Sequence, residues 1–376
     1  MTLQTQPESL AFHFSTLTDP RREHLREHSL TDILLIAVCA MLCGAEWCVD
    51  FEQFGIAKVD FLRGFLALPN GIPSHDTFAR VFGMLDPERF AECFQKWTES
   101  LRRAVGAEVV AIDGKSLRRS VDRAKGKGPI HMVSAWAQQN RLVLGQLKVD
   151  EKSNEVTAIP ELLRALKLAG CIVTIDAMGT QTKIASEIIA AKANYVLALK
   201  ANQGTLHEEV KTFLEDAKAE GFPDIAHGFL ETAETAHGRV EGRKYWICGE
   251  VEWLTQHERW AGLRSIGMVE STRTVGGKMS VERRFYITSL EPDAAHFARA
   301  VRGHWAIENT LHWSLDVSLN EDQNRARTGY AAENLTRLRH ITLNLLQRET
   351  KLKRGIKGKQ RNAAWNLSYL LDLLKG

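Results

Sequence analysis

The chain has 376 residues and a mass of 42.2 kDa, room for two or three domains at roughly 150 residues each. Apolar residues make up 44% and charged residues 25%, which excludes a disordered chain, a collagen-like chain and a small disulfide scaffold. The 49 Lys and Arg against 46 Asp and Glu leave a net charge of only +3, a total unlike that of a nucleic-acid binder.

Residues of about 30–105 read as helical. Ser29 to Asp32 can cap the apolar run from Ile33 to Ala45, Ser74 can cap TFARVFGML, and Asp86-Pro87 pairs an N-cap with Pro at the first helical position. The helix beyond places Phe90, Phe94 and Trp97 on one face. The run from Ile33 is shorter than the roughly 20 residues a bilayer requires, and MTLQTQPESLAF lacks a basic region and an apolar core. No membrane partner and a cytoplasmic location are therefore expected. None of the six cysteines forms a CxxC pair, and Cys39 and Cys43 read as core thiols.

The pattern changes at residue 108. EVVAIDGKSLRR carries a short β-branched run ending in Asp113, and IHMVSAWA and LVLGQLKV form a hairpin across QQNR. IPELLRALKLAG reads as a helix closed by Gly170, CIVTIDAMG as a strand ending in Asp176, QTKIASEIIAAKA as a helix and NYVLALK as a strand. Three meandering strands followed by βα units predict an α/β fold with a mixed sheet and flanking helices. Residues 205–290 start with a polar helix and continue as RKYWICGEV, SIGMVESTR and ERRFYITSL, with Gly276-Gly277 as a turn, a β-rich insertion. The chain is helical again from Asp293 to about Leu346. A basic segment, KLKRGIKGKQR, reads as exposed before a final helix AAWNLSYLLDLL.

Three carboxylates carry the expected chemistry. Asp113 and Asp176 each end an apolar strand, where open α/β sheets place ligands. Two such groups on adjacent strands repel unless a cation lies between them, and magnesium prefers oxygen ligands. The third is Glu308 in HWAIENTLHWSLDV, where His304, Glu308, His312 and Asp316 are spaced by four and share one face of an α-helix. Three carboxylates can hold two divalent ions in the arrangement used for phosphoryl transfer. An Asp at a strand end is also a common turn or cap residue, Trp305 and Trp313 read as packed, and the basic loop after Asp113 can be merely solvated.

The segments AIDGKSLRRS, HMVSAWA, VDEKSNEVTAIPELL, TIDAMG, YVLALKANQ, HGRVEGRKYW, HWAIENTLHWSLDVSLNED and AAENLTRLRHITLNLL resemble, in order, the insertion-sequence DDE transposases that include the H-repeat-associated proteins. DPRREHLREHSLTDILLIAVCAMLCGAEW and GIPSHDTFARVF look like the helical domain associated with them. The resemblance implies an RNase H-like core over 107–204, an α/β insertion over 205–290, core helices and a basic tail over 291–376, and a small helical domain over 1–106. It also implies a catalytic and metal-binding triad of Asp113, Asp176 and Glu308. Many related transposases carry Tyr, Arg and Lys where this chain has Val301, His304 and Leu315.

The implied activity is metal-dependent cleavage of DNA at element ends, followed by transfer of the 3′ hydroxyl strand into target DNA. It would use two Mg2+ ions, with Mn2+ as a substitute. The implied partners are double-stranded DNA with terminal inverted repeats, target DNA and a second copy of the chain. Lys115, Arg118, Arg119, Arg123, Lys125 and Lys127 follow Asp113 and suit phosphate contact; His237, Arg239, Arg243, Arg302, His304, His312, Arg325 and Arg327 are further DNA-binding candidates. Two rivals are a catalytically silent DNA-binding descendant and an RNase H-like nuclease or resolvase that cuts without joining. The charge total conceals its placement: residues 323–376 hold 12 Lys or Arg against 3 Asp or Glu, whereas 1–322 hold 37 against 43. Basic segments thus flank the expected acidic site.

Overall fold

The computed structural model describes residues 9–375, apart from 104, 122–127, 150–153, 237–238 and 276–277. Arg123, Lys125, Lys127, His237 and the Gly276-Gly277 turn therefore lie outside the described residues. In chain order the helices and strands are α1 (Leu10–Phe14), α2 (Leu30–Leu42), α3 (Cys48–Ala57), α4 (Val59–Arg63), α5 (His75–Met84), α6 (Pro87–Leu101), β1 (Val109–Leu117), β2 (Ile130–Ala137), β3 (Leu142–Val149), α7 (Glu155–Ala165), β4 (Ile172–Ile175), α8 (Thr182–Ala190), β5 (Asn194–Leu199), α9 (Thr205–Glu220), β6 (His227–Ala236), β7 (Arg239–Cys248), β8 (Ser265–Val275), β9 (Lys278–Thr288), α10 (Ala294–Ala306), α11 (Ala331–Arg348), α12 (Ile356–Trp365) and α13 (Leu367–Lys375). The expected caps form: the side chains of Ser29, Ser74 and Asp86 each accept a backbone N–H of the first turn of their helix.

The chain folds as two compact units that interleave along the sequence. One comprises 1–104, 114–152 and 308–376, and the other 105–113 and 153–307. This differs from the consecutive segments expected from the sequence, because β1 contributes its two halves to different units.

The first unit is built around two buried helices. In α2 every residue from Asp32 to Leu42 is buried, and in α11 only Glu333, Gln347 and Arg348 are not. A helix hydrophobic all round belongs in a core, but α11 also carries polar groups, each needing a partner. Asn334 Nδ2 donates to the carbonyls of Phe82 (2.9 Å) and Leu85 (2.8 Å) and so closes the end of α5. Asn344 accepts from the amide of Val143 at 2.8 Å and donates to its carbonyl at 3.0 Å, standing in for a neighbouring strand beside β3. Gly329 (φ +51°) lies so close to Gly83 that a Cβ would sit 2.1 Å from its carbonyl oxygen. The basic segment after α11 is not wholly exposed. Lys359 is buried and its ammonium donates to the carbonyls of Leu346 (2.7 Å) and Glu349, capping the end of α11. The expected last helix is two helices, broken at Asn366.

The second unit is a mixed sheet with strand order β1-β4-β5-β9-β8-β7-β6. β1, β4 and β5 are parallel, and β5-β9, β9-β8, β8-β7 and β7-β6 are antiparallel. The expected β-rich insertion therefore continues the sheet through β9. α10 packs on this sheet, with Phe297 and Val301 buried against Val109, Ile172, Val196, Tyr245, Val269 and Tyr286. The approach is close: a Cβ at Gly267 would lie 2.5 Å from the Phe297 ring, which would have to move.

Candidate active site

The register of β1 against β4 pairs Ile112 with Ile175. Asp113 and Asp176 are the next residues of these neighbouring parallel strands. Adjacent strands lie about 4.8 Å apart, close enough for two carboxylates to share one cation. Both are half-buried. β1 does not stop at Asp113, as the sequence suggested, but runs on to Leu117; only its pairing with β4 ends at Ile112.

The turn reading of Asp176 also holds. Its Oδ1 accepts the amides of Met178 (3.1 Å) and Gly179 (3.2 Å), and Thr180 Oγ1 donates to its carbonyl and to that of Ala198. The side-chain amides of Asn202 and Gln203 both donate to the carbonyl of Ala177. These bonds fix the backbone on which the carboxylate stands. Gly179 leaves the room this turn needs, since a Cβ would meet Ile175 at 2.4 Å.

His304 joins this cluster from α10. Its Nδ1 lies 3.2 Å from Thr174 Oγ1. Burial and then nearby Arg284 lower its pKa, against the opposing pull of Asp176 and the Thr174 bond. Arg284 lies over the ring of Trp305, 4.3 Å from its centroid.

Glu308 belongs to the first unit and is exposed. It sits in a π-helical run, Ile307–His312, followed by a second, Ser314–Ser318. A π-helix bonds i to i+5, so the stripe of His304, Glu308, His312 and Asp316 stands on a different ladder from the single α-helix expected for it. Trp313, expected in the core, is 56% exposed. Val301 and Leu315 are buried apolar side chains, so those two positions supply none of the contacts that Tyr and Lys make in related enzymes.

Among the described residues no three His, Cys, Asp or Glu side chains stand together as a metal-holding group. Asp113 and Asp176 by themselves fit a hard divalent cation, because Mg2+ takes one or two carboxylates and keeps several waters.

The basic candidates differ in how they are held. Arg119, Arg325 and Arg327 are exposed, as is Arg118, which lies 3.3 Å from Asp322. Arg302 is paired with both carboxylate oxygens of Glu234, at 2.7 and 2.8 Å, and Arg243 pairs with Glu241 at 2.6 Å. His312 is partly buried. Arg239 opens β7. Lys115, expected on phosphate, has its ammonium 2.6 Å from Asp316, 2.7 Å from Glu321 and 3.7 Å from Asp322. Sequence reasoning missed this cage, whose acidic members lie some 200 residues away.

The family model described as Transposase DDE domain matches residues 105–345, and the model described as DDE_Tnp_1-associated matches 11–98. The chain belongs to the DDE transposase family. It is 40% identical over 374 residues to the H repeat-associated putative transposase YhhI of Escherichia coli K12, covering 98% of both chains. It is 45% identical over 284 residues to an uncharacterized protein in the dhlA 3′ region of Xanthobacter autotrophicus, covering 74% of this chain and 94% of that one. A shorter relative, the inactive transposase YbfQ of Escherichia coli K12, is 45% identical over 74 residues, 20% of this chain and 88% of that one. Among the described residues of this transposase, no helix is long and apolar enough to cross a membrane.

Proposed function

We propose that this chain cuts DNA at the ends of its own element and joins the freed 3′ hydroxyl to target DNA. The observation that carries the reading is the register that makes Asp113 and Asp176 neighbours at the end of their pairing, within a stretch matched by the DDE domain model. In this reading Asp113, Asp176 and Glu308 are the ligands of two Mg2+ ions, which Mn2+ can replace. When bound, such ions supply Lewis acidity and an activated water. The backbone bonds around Asp176 and Ala177 hold one ligand at a fixed position before metal binds. His304, held by Thr174, stands beside the Asp176 strand. Arg118, Arg119, Arg325 and Arg327, all exposed, contact phosphates. The partners of this reading are DNA with terminal inverted repeats, a target duplex and a second copy of the chain.

A second reading, a silent DNA-binding descendant, is favoured by one observation: a relative carries the name inactive transposase. The purified chain incubated with a supercoiled plasmid carrying the DNA that flanks its gene, with Mg2+ and a target plasmid, separates the two. Cleavage with covalently joined products is expected. Retarded DNA with no cleavage would favour the silent reading, and cleavage with no joined product would leave a nuclease.

A further inference from the structure

The ion cage around Lys115 is not explained by phosphate binding. Lys115 follows Asp113 by two residues, and its side chain is 12% exposed. Its ammonium meets Asp316 in the second π-helical run, then Glu321 and Asp322 in the turn beyond it. All four residues lie in the first unit, as does Glu308. Glu321 is 1% exposed, and a buried carboxylate without a cation is strongly destabilising. The same turn is fastened elsewhere too: Asn320, at φ +53°, donates to Glu46 at 2.7 Å, and Arg339 Nε donates to the carbonyl of Leu319 at 3.3 Å. A π-helix is rare and mostly short, and here two runs follow one another from Ile307 to Ser318. Such a segment needs anchoring from outside itself.

We propose that Lys115 is a positioning residue, which fixes the π-helical segment carrying Glu308 by clamping Asp316, Glu321 and Asp322. The proposal rests on the reading of Glu308 as a metal ligand for its functional consequence, but not for its structural content. The link along the chain is direct: the strand whose pairing with β4 ends at Ile112, one residue before Asp113, supplies the clamp for the segment bearing Glu308. A lysine enclosed by three carboxylates is poorly available to DNA, since a phosphate would have to displace partners already at contact distance.

The test compares the full chain with Lys115→Met, Lys115→Arg and the charge-balanced double variant Lys115→Met/Glu321→Gln. Three measurements are made: amide hydrogen exchange, metal-free DNA binding as a function of salt, and the rate of Mg2+-dependent plasmid nicking. In Lys115→Met, exchange over 307–323 is expected to rise about tenfold or more, as a local opening. Peptides in α2 are expected to be unchanged. DNA affinity and its salt slope should stay the same while nicking slows, and Lys115→Arg should restore part of both protection and rate. If Lys115→Met does not fold, the double variant must show the same local loss of protection. Unchanged exchange over 307–323 in a folded variant overturns the proposal. So does a fall in DNA affinity with the salt slope reduced by about one, which would make Lys115 a phosphate contact. If the wild-type chain itself never nicks DNA, the functional reading fails, and the exchange result still decides the clamp.

Discussion

At the scale of single residues, α11 buries several polar groups, His340 among them. His340 is fully buried, and among the described residues neither ring nitrogen has a hydrogen-bond partner. Burial, with Lys115, Arg337 and Arg339 nearby, lowers its pKa from the ordinary 6.5 to about 3. The folded state therefore keeps the ring neutral while the unfolded chain takes up a proton below pH 6.5. Stability from this group is complete above that pH and is lost as pH falls toward 3. From pH 6.5 to 5 the loss is up to about 2 kcal/mol. His340→Leu should show a smaller drop in urea unfolding free energy over that range. An equal drop in both proteins would mean that His340 does not contribute. Of the two cysteines expected in the core, Cys39 is buried and Cys43 only half-buried, and desolvation pushes the Cys43 thiol up to about 12, so it is not a ready nucleophile.

At the scale of elements, legibility followed local periodicity. The strand ending its pairing near Asp113 was visible in the β-branched run EVVAI, the β2–β3 hairpin in its two apolar runs, and the caps Ser29, Ser74 and Asp86 in their side-chain chemistry. The π-helix was not visible, because no residue type marks an i to i+5 ladder. Counting in fours from His304 to Asp316 assumed an α-helix that ends at Ala306. Lys115 was equally opaque: next to Arg118 and Arg119 it reads as part of a basic loop, and only the fold brings Asp316, Glu321 and Asp322 to it. Asn344 is another long-range feature, a helix side chain that completes the hydrogen bonding of Val143 beside β3. Asn344→Leu leaves a buried amide and carbonyl unpaired, at a cost of about 2–4 kcal/mol. Urea unfolding should show that loss, and a change within about 0.5 kcal/mol would argue that those groups find other partners.

At the scale of the whole molecule, charge placement matters more than the total of +3. The excess in residues 323–376 splits on folding. Lys359 and Arg339 are buried and hold backbone carbonyls, and Arg337 is buried over the Phe90 ring. Arg325, Arg327, Lys351, Lys353, Arg354, Lys357 and Arg361 stay exposed. In metal-free binding to duplex DNA, Arg325→Ala and Arg327→Ala should each weaken affinity at low salt and reduce the slope of log affinity on log salt by about one. Arg337→Ala should instead lower stability. Unchanged slopes for the first two would place the DNA path elsewhere on the surface.

Asp113 and Asp176, neighbours by strand register, are proposed as the metal-holding pair of a DNA-cutting enzyme. Nicking of supercoiled plasmid carrying the element ends tests this most directly, with wild type, Asp113→Asn and Asp176→Asn compared in Mg2+ and in chelator. Wild type should nick only with the metal. Each variant should lose nicking by at least about a hundredfold, as expected when a group central to electrostatic stabilisation is removed, while retarding DNA as well as wild type without metal. Nicking by Asp113→Asn at the wild-type rate would show that this pair does not hold the metal.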